Sequence, residues 1–196
     1  PSQPGVLLNR GNLYLQQDKN DKALADFNAA LDADPGLTSA RLARGSLLLD
    51  EGELDAALAD LNRVLEEEPE LGSAYATRGQ VYEQMERPDD ALADFDRAIE
   101  IDRGASIAYV NRGNAFAAQG AFADAIDDYN QALAIDPNQV NALLNRAITL
   151  LTTGNTDAAL ADFEKLVDQH PDLAVAFNGR GQAYETMEEV DAALAD

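Results

Sequence analysis

Apolar and small residues recur along this chain at steps of three and four, in pairs of runs separated by a short break. Between residues 106 and 139 the first run carries Ala108, Tyr109, Arg112, Gly113 and Phe116, and the second Phe122, Ala125, Ile126, Tyr129, Ala132 and Leu133. That period puts each run on one face of a helix. Gly52, Gly120 and Gly154 stand at the break between runs, and Pro35, Pro69, Pro137 and Pro171 end the second. Glycine closes helices by adopting a left-handed conformation, and proline cannot continue one. The predicted unit is therefore a helical hairpin.

The hairpin repeats. Gly11, Gly45, Gly79, Gly113, Ala147 and Gly181 follow one another at a constant 34 residues, with no insertion or deletion. Counting from Pro4, the units are 4–37, 38–71, 72–105, 106–139 and 140–173, with a partial sixth over 174–196. The twentieth place reads Ala23, Ala57, Ala91, Ala125, Ala159 and Ala193. The twenty-fourth reads Phe27, Leu61, Phe95, Tyr129 and Phe163. Small residues at the eighth and twentieth places let two helices approach closely, and the large residue at the twenty-fourth fills the remaining space. Volume is traded between columns: Leu61 replaces an aromatic where Val64 replaces Ala, and Leu150 replaces Tyr where Leu166 replaces Ala.

In these columns the chain resembles the tetratricopeptide repeat family, whose 34-residue helix-turn-helix unit has small residues, aromatics and a proline at the same places. The resemblance spans residues 4–196. It departs in lacking Trp early in the first helix, where Leu7, Arg41, Tyr75, Tyr109, Leu143 and Phe177 stand, and in Arg103 for Pro and Ala147 for Gly. It implies an all-α fold: an α-solenoid, a right-handed superhelix of stacked antiparallel hairpins whose first helices line a concave groove. It also implies a non-catalytic protein-protein interaction module or scaffold.

Charge adds a second pattern. Of the chain's 196 residues 36 are acidic and 14 basic, a formal net charge of -22. Six of the cations fill one column, Arg10, Arg44, Arg78, Arg112, Arg146 and Arg180, and Asp26, Asp60, Asp94, Asp128, Asp162 and Asp196 fill another. Both columns border the packed faces, so each desolvated guanidinium needs a partner that the Asp column supplies, from the same hairpin or the preceding one. Arg44 with Asp60, Arg78 with Asp94, Arg112 with Asp128 and Arg146 with Asp162 are thus expected as structural ion pairs that set register between hairpins. The remaining acids, Glu66, Glu67, Glu68 and Glu70 among them, read as a solvated face.

An acid excess of this size opposes nucleic acid and anionic membranes as partners, because phosphate contacts need clustered cations. No run reaches the roughly 18 apolar residues of a membrane span. The sequence has no Cys, which excludes disulfides and thiolate chemistry and leaves the redox compartment undecided. Its only His, His170, precedes Pro171 in a turn. No phosphate-binding loop, nucleophile elbow or calcium loop is present, so no enzyme activity, cofactor or metal is expected of this segment. The chain begins Pro1-Ser2-Gln3 without an initiator Met or a signal-peptide core, which reads as a piece of a longer protein. Met187-Glu188-Glu189-Val190-Asp191 spells the terminal tag that heat-shock chaperones present to this family. Here it is internal and carries no terminal carboxylate.

With the packing columns assigned, the second, fifth, sixth, ninth, twelfth and thirteenth places of each first helix remain for function. None holds the cations of the carboxylate clamp used by the family's chaperone-tail binders. Asn9, Asn111 and Asn145 share the sixth place and Asn12 and Asn114 the ninth, resembling part of the asparagine ladder by which other members hold a peptide main chain. Leu42, Leu49, Val110, Leu144 and Ile148 lie beside them, with Leu8, Leu15, Ile107 and Leu151. The five asparagines and the first five of these aliphatic residues form the expected peptide-binding groove. It suits a peptide or helical segment of another protein, apolar with basic flanks. Two alternatives stand: a scaffold self-assembling into homo-oligomers through the uncapped Ala193 and Leu194, and a substrate-recruiting arm of an enzyme outside this segment.

Overall fold

A computed structural model describes residues 3–188, and among them it shows eleven α-helices and no strand. They are α1 (Pro4–Leu15), α2 (Asn20–Ala33), α3 (Thr38–Asp50), α4 (Leu54–Glu67), α5 (Gly72–Gln84), α6 (Pro88–Ile101), α7 (Ser106–Ala118), α8 (Phe122–Ile135), α9 (Val140–Thr152), α10 (Thr156–Gln169) and α11 (Ala174–Thr186). Ala193, Leu194 and Asp196, and all but the first two residues of the internal chaperone-tag match, lie outside the described residues. The fold class is all-α, a solenoid of helical hairpins. The chain divides into two compact units, Pro1–Asp102 and Arg103–Asp196. In the first, α1–α2, α3–α4 and α5–α6 are hairpins, stacked through α2 on α3 and α4 on α5. In the second, α7–α8 and α9–α10 are hairpins, stacked through α8 on α9, with α11 against α10. No described helix is long and apolar enough to cross a membrane.

Each hairpin turns through one residue in the left-handed region. Gly52, Gly120 and Gly154 take φ of 77, 76 and 80° there, and the next amide donates back to the carbonyl five residues earlier: Glu53 to Leu48, Ala121 to Phe116, Asn155 to Leu150. This is the Schellman closure, which satisfies carbonyls the helix end leaves open. At the same place Asp18 and Glu86 adopt φ of 54 and 57°. A Cβ in that conformation costs roughly 1–2 kcal/mol. Glu86→Gly is therefore expected to stabilise the α5–α6 hairpin by up to about 1 kcal/mol, less glycine's larger entropy in the unfolded chain. Urea unfolding at neutral pH checks this, and an unchanged or lowered midpoint would refute it.

The core of each hairpin is built on the close approach the columns imply. Ala23, Ala57, Ala91, Ala125 and Ala159 are fully buried, as are Phe27, Leu61, Phe95 and Phe163. The large side chain lies directly on the glycine of its own hairpin. A Cβ added at Gly79 would sit 2.5 Å from Phe95 Cε1, and one at Gly113 2.7 Å from Tyr129 Cε1. Where Leu61 replaces the ring, the corresponding distance from Gly45 opens to 3.2 Å. The glycine is thus required by the ring, through space rather than through backbone conformation.

Candidate functional site

The Arg and Asp columns meet inside each hairpin. Arg44 Nε and Nη2 donate to the two carboxylate oxygens of Asp60 at 2.7 Å each, and Arg78 does the same to Asp94 at 2.7 and 2.8 Å. Arg112 with Asp128 and Arg146 with Asp162 repeat the fork at 2.7–2.8 Å, and Arg10 with Asp26 at 2.6 and 2.7 Å. Two parallel charge-assisted bonds fix both planes. The hydrogen bond from Arg10 holds the Asp26 carboxyl below its ordinary range. Asp60, Asp94, Asp128 and Asp162 are buried. The partner of Arg180 in the column, Asp196, lies outside the described residues.

The neighbouring hairpin enters through a residue type that the charge pattern does not single out. Nη1 of Arg44, Arg78 and Arg146 donates to Oδ1 of Asn28, Asn62 and Asn130 of the preceding hairpin, at 2.7, 2.7 and 2.6 Å. These asparagines share the twenty-fifth place, so their 34-residue spacing was a visible signal. Aromatic rings flank the same guanidinium: Arg78 Cζ lies 5.4 Å from the Tyr75 centroid and 5.7 Å from that of Tyr82. Arg44, Arg78 and Arg146 thus each have three of their five N–H donors engaged and their charge matched by Asp within the scaffold, which leaves less for an anionic ligand.

The expected groove residues divide by burial. Leu49, Val110 and Asn111 are 6, 4 and 8% exposed, so they belong to the interior and not to an open binding face. The reason is geometric for the first two. The fifth and twelfth places lie seven residues apart on one helix edge, and that edge turns toward the next first helix. Leu49 packs with Ala57, Leu61 and Val81, and Val110 joins the main core of the second unit. Leu42 and Leu144 are half-buried at the margins of their clusters. In the first unit Asn9 and Asn12 are exposed on α1.

In the second unit the first-helix face is built more fully. On α7 and α9 the six groove places of each helix carry no charged residue. Ile107 and Ile148 are 64 and 46% exposed there, and Val175 on α11 is 42% exposed. The sequence pattern does not single out Ile107 and Val175 together as anchors, since nothing in a column says which aliphatic side chain stays uncovered. On α7 and α9 the amides of Asn114 and Asn145 are joined: Asn145 Nδ2 and Tyr129 Oη both donate to Asn114 Oδ1, at 2.7 and 2.9 Å. The bonds leave Asn145 Oδ1 as an acceptor and Asn114 Nδ2 as a donor, held in fixed orientation. The face can therefore offer a peptide group both halves of its hydrogen bonding beside apolar seats.

Glu83, at the twelfth place of α5, carries the clearest electrostatic perturbation. Burial pushes its carboxyl up to about 7. A group that binds its proton more tightly in the folded state contributes stability at low pH, and this is lost as pH rises from its ordinary 4.5 through about 7. Glu83→Gln is expected to raise the melting temperature at pH 8 and to change it little at pH 4.5. Partial exposure holds the difference to roughly 1 kcal/mol. Equal shifts at both pH values would show that Glu83 titrates normally.

Comparison with known proteins places this geometry. Tetratricopeptide repeat models match residues 8–72 and 76–140, and a second such model matches 116–178. No curated protein matches the sequence. Among solved structures, PilW, a widely conserved type IV pilus biogenesis factor, aligns with a TM-score of 0.89 at 23% identity, over 98% of this chain and 89% of its own. TTC0263, a thermophilic repeat protein of Thermus thermophilus, aligns at 0.79 and 20%, over 98 and 100%. YrrB, described as having an unusual peptide-binding site, aligns at 0.63 and 25%, over 87 and 88%. With the repeat models matching most of its length and the hairpins packed as described, the chain belongs to the tetratricopeptide repeat family.

Proposed function

We propose that this repeat scaffold is a non-catalytic binding module, and that the face of α7, α9 and α11 receives a peptide or helical segment of another protein. The observation that carries the reading is the coincidence of exposed Ile107, Ile148 and Val175 with the fixed amide pair of Asn114 and Asn145, on a face whose α7 and α9 places are uncharged. Solvent-exposed aliphatic residues grouped in this way mark interaction surfaces. The amide pair binds a main chain whatever its side chains, and the aliphatic seats select apolar anchors. A net charge of -22 draws segments with basic flanks and repels acidic ones. A peptide-binding site described in the similar YrrB supports the reading.

An array of fifteen-residue peptides with Leu or Ile anchors, flanked by Lys in one set and Asp in the other, tests it. Capture of Lys-flanked members is expected, weakened at least tenfold by Ile148→Glu and left intact by Asp127→Asn on the exposed side of α8. Capture that survives Ile148→Glu, or follows the Asp-flanked set, would place the site elsewhere.

A further inference from the structure

Between residues 38 and 101 every cation is committed within the scaffold. Arg44 and Arg78 bind Asp60 and Asp94, Arg63 binds Glu66 and Glu67, Arg87 binds Asp90, and Arg97 binds Glu70 and Glu100. Arg41 donates to the Pro35 carbonyl and lies 3.8 Å from Asp60. Glu83 on α5 is left out. It is half-buried, and among the described residues it makes no ion pair and no side-chain hydrogen bond. The other described carboxylates that are not exposed, Asp26, Asp60, Asp94, Asp128, Asp162 and Glu67, each have an arginine.

Glu83 stands at the twelfth place, where α3 carries the buried Leu49, so its carboxylate loses solvation and gains nothing from the fold in return. That burial pushes its carboxyl up to about 7. Neither oxygen is sealed from water, which leaves both open to a ligand. Gln80 lies three residues earlier on the same face of α5. It too is half-buried and makes no side-chain hydrogen bond, so its amide oxygen is a further free acceptor.

We infer that Glu83 and Gln80 form a seat for the guanidinium of an arginine side chain carried by a partner protein. The pairs inside the scaffold identify the cation. Five buried Asp carboxylates each take Nε and Nη2 of one arginine, at 2.6–2.8 Å, and among the described residues no Lys stands in that role. Three of those arginines give Nη1 to an amide oxygen as well, that of Asn28, Asn62 or Asn130. Glu83 with Gln80 presents the same set, a carboxylate and one amide oxygen, without the arginine. A guanidinium forks onto both carboxylate oxygens and is more weakly hydrated than an ammonium, so it loses less on entering a half-buried place. The net charge of -22 favours the approach of such a cation.

The probe is a capped fifteen-residue Gly-Ser peptide with one central Arg, titrated into the intact chain. NMR follows the Glu83 carboxyl signal, identified by its loss in Glu83→Gln, and the side-chain amide of Gln80. The peptide carries no apolar anchor, so its failure would leave the reading of the α7, α9 and α11 face standing. Saturable shifts of both signals are expected, with affinity about fivefold or more weaker for Glu83→Gln and for a peptide with citrulline in place of Arg. A Lys peptide should bind more weakly than the Arg peptide. Asp55→Asn removes the same charge from an exposed place on α4 and should change affinity by less than about twofold. No saturable shift at Glu83, equal weakening by Glu83→Gln and Asp55→Asn, or Lys and citrulline peptides that bind as tightly as the Arg peptide would each overturn the assignment.

Discussion

Asp94→Ala is expected to destabilise the α5–α6 hairpin by about 3 kcal/mol, the lower end of the cost of stripping one partner from a buried ion pair. Arg78, 19% exposed at its side chain, keeps only its bond to Asn62 and its place between Tyr75 and Tyr82, while two guanidinium N–H groups lose their acceptors. The cost comes from the cation left behind. Removing both charges in Arg78→Met with Asp94→Leu is expected to recover much of the loss, since an apolar pair of similar volume leaves nothing unsatisfied. Arg63→Ala is the control: Arg63 also pairs with carboxylates, Glu66 and Glu67, but at 55% exposure, where solvent screens the pairs, and its loss should leave stability almost unchanged. Repeat arrays open locally, so hydrogen exchange at α5 and α6 is the appropriate readout. Equal effects of Asp94→Ala and Arg63→Ala would remove the ion-pair column from the account of stability.

The second large effect concerns the one hairpin whose packing glycine is absent. Ala147 stands at the eighth place of the fifth unit, where a methyl meets the site that other hairpins give to an aromatic ring. The ring of Phe163 has gone the other way. A Cβ added at Gly179 of α11 would lie 2.3 Å from Phe163 Cε1 and 2.4 Å from Cζ, closer than the 2.5 Å that Gly11 and Gly79 show to their own rings. Gly179 occupies a place that holds Asn, Ala or Thr in the other units. The two departures are complementary: α9 carries a methyl at the eighth place, and the ring of Phe163 lies against Gly179 of α11, where no methyl stands.

Gly179→Ala alone is expected to cost about 1–3 kcal/mol by overpacking against a ring that is fully buried. Joined to Ala147→Gly, which gives the ring back its usual seat, it should cost at least about 1 kcal/mol less than the sum of the single changes. Urea unfolding of the four proteins in the cycle measures this coupling. Strict additivity would mean that the ring does not choose between the two seats.

Both predictions mark the limit of column reading. The 34-residue step, the hairpin, the glycine under the ring and the complementarity of Arg and Asp were legible because each is a local periodicity or a repeated pair of opposite charges. The acceptor of Arg Nη1 was not, although Asn28, Asn62 and Asn130 repeat at the same step. A neutral amide on the outer helix carries no charge to match and looks like ordinary surface. Leu49, Val110 and Asn111 fall on the open face of a helix wheel because the wheel divides a surface by angle. Whether an edge position is covered depends on how closely the next first helix approaches. The Ala147 and Gly179 departures sit in different repeats and different columns, and only the position of Phe163 connects them.

What the sequence determined by itself is therefore the periodic framework: helix length, turn position, the packing columns of each hairpin, and the need of each buried cation for an anion. These are fixed by near-neighbour sterics and by the cost of desolvating charge, and they act in the same way in each unit. Tertiary structure decided which partners are shared between hairpins and where the ring of Phe163 rests. It also decided which aliphatic residues, Ile107, Ile148 and Val175 among them, remain in contact with water. Those outcomes depend on distances between helices far apart in sequence, and side chains must compete for the same space before any of them is settled.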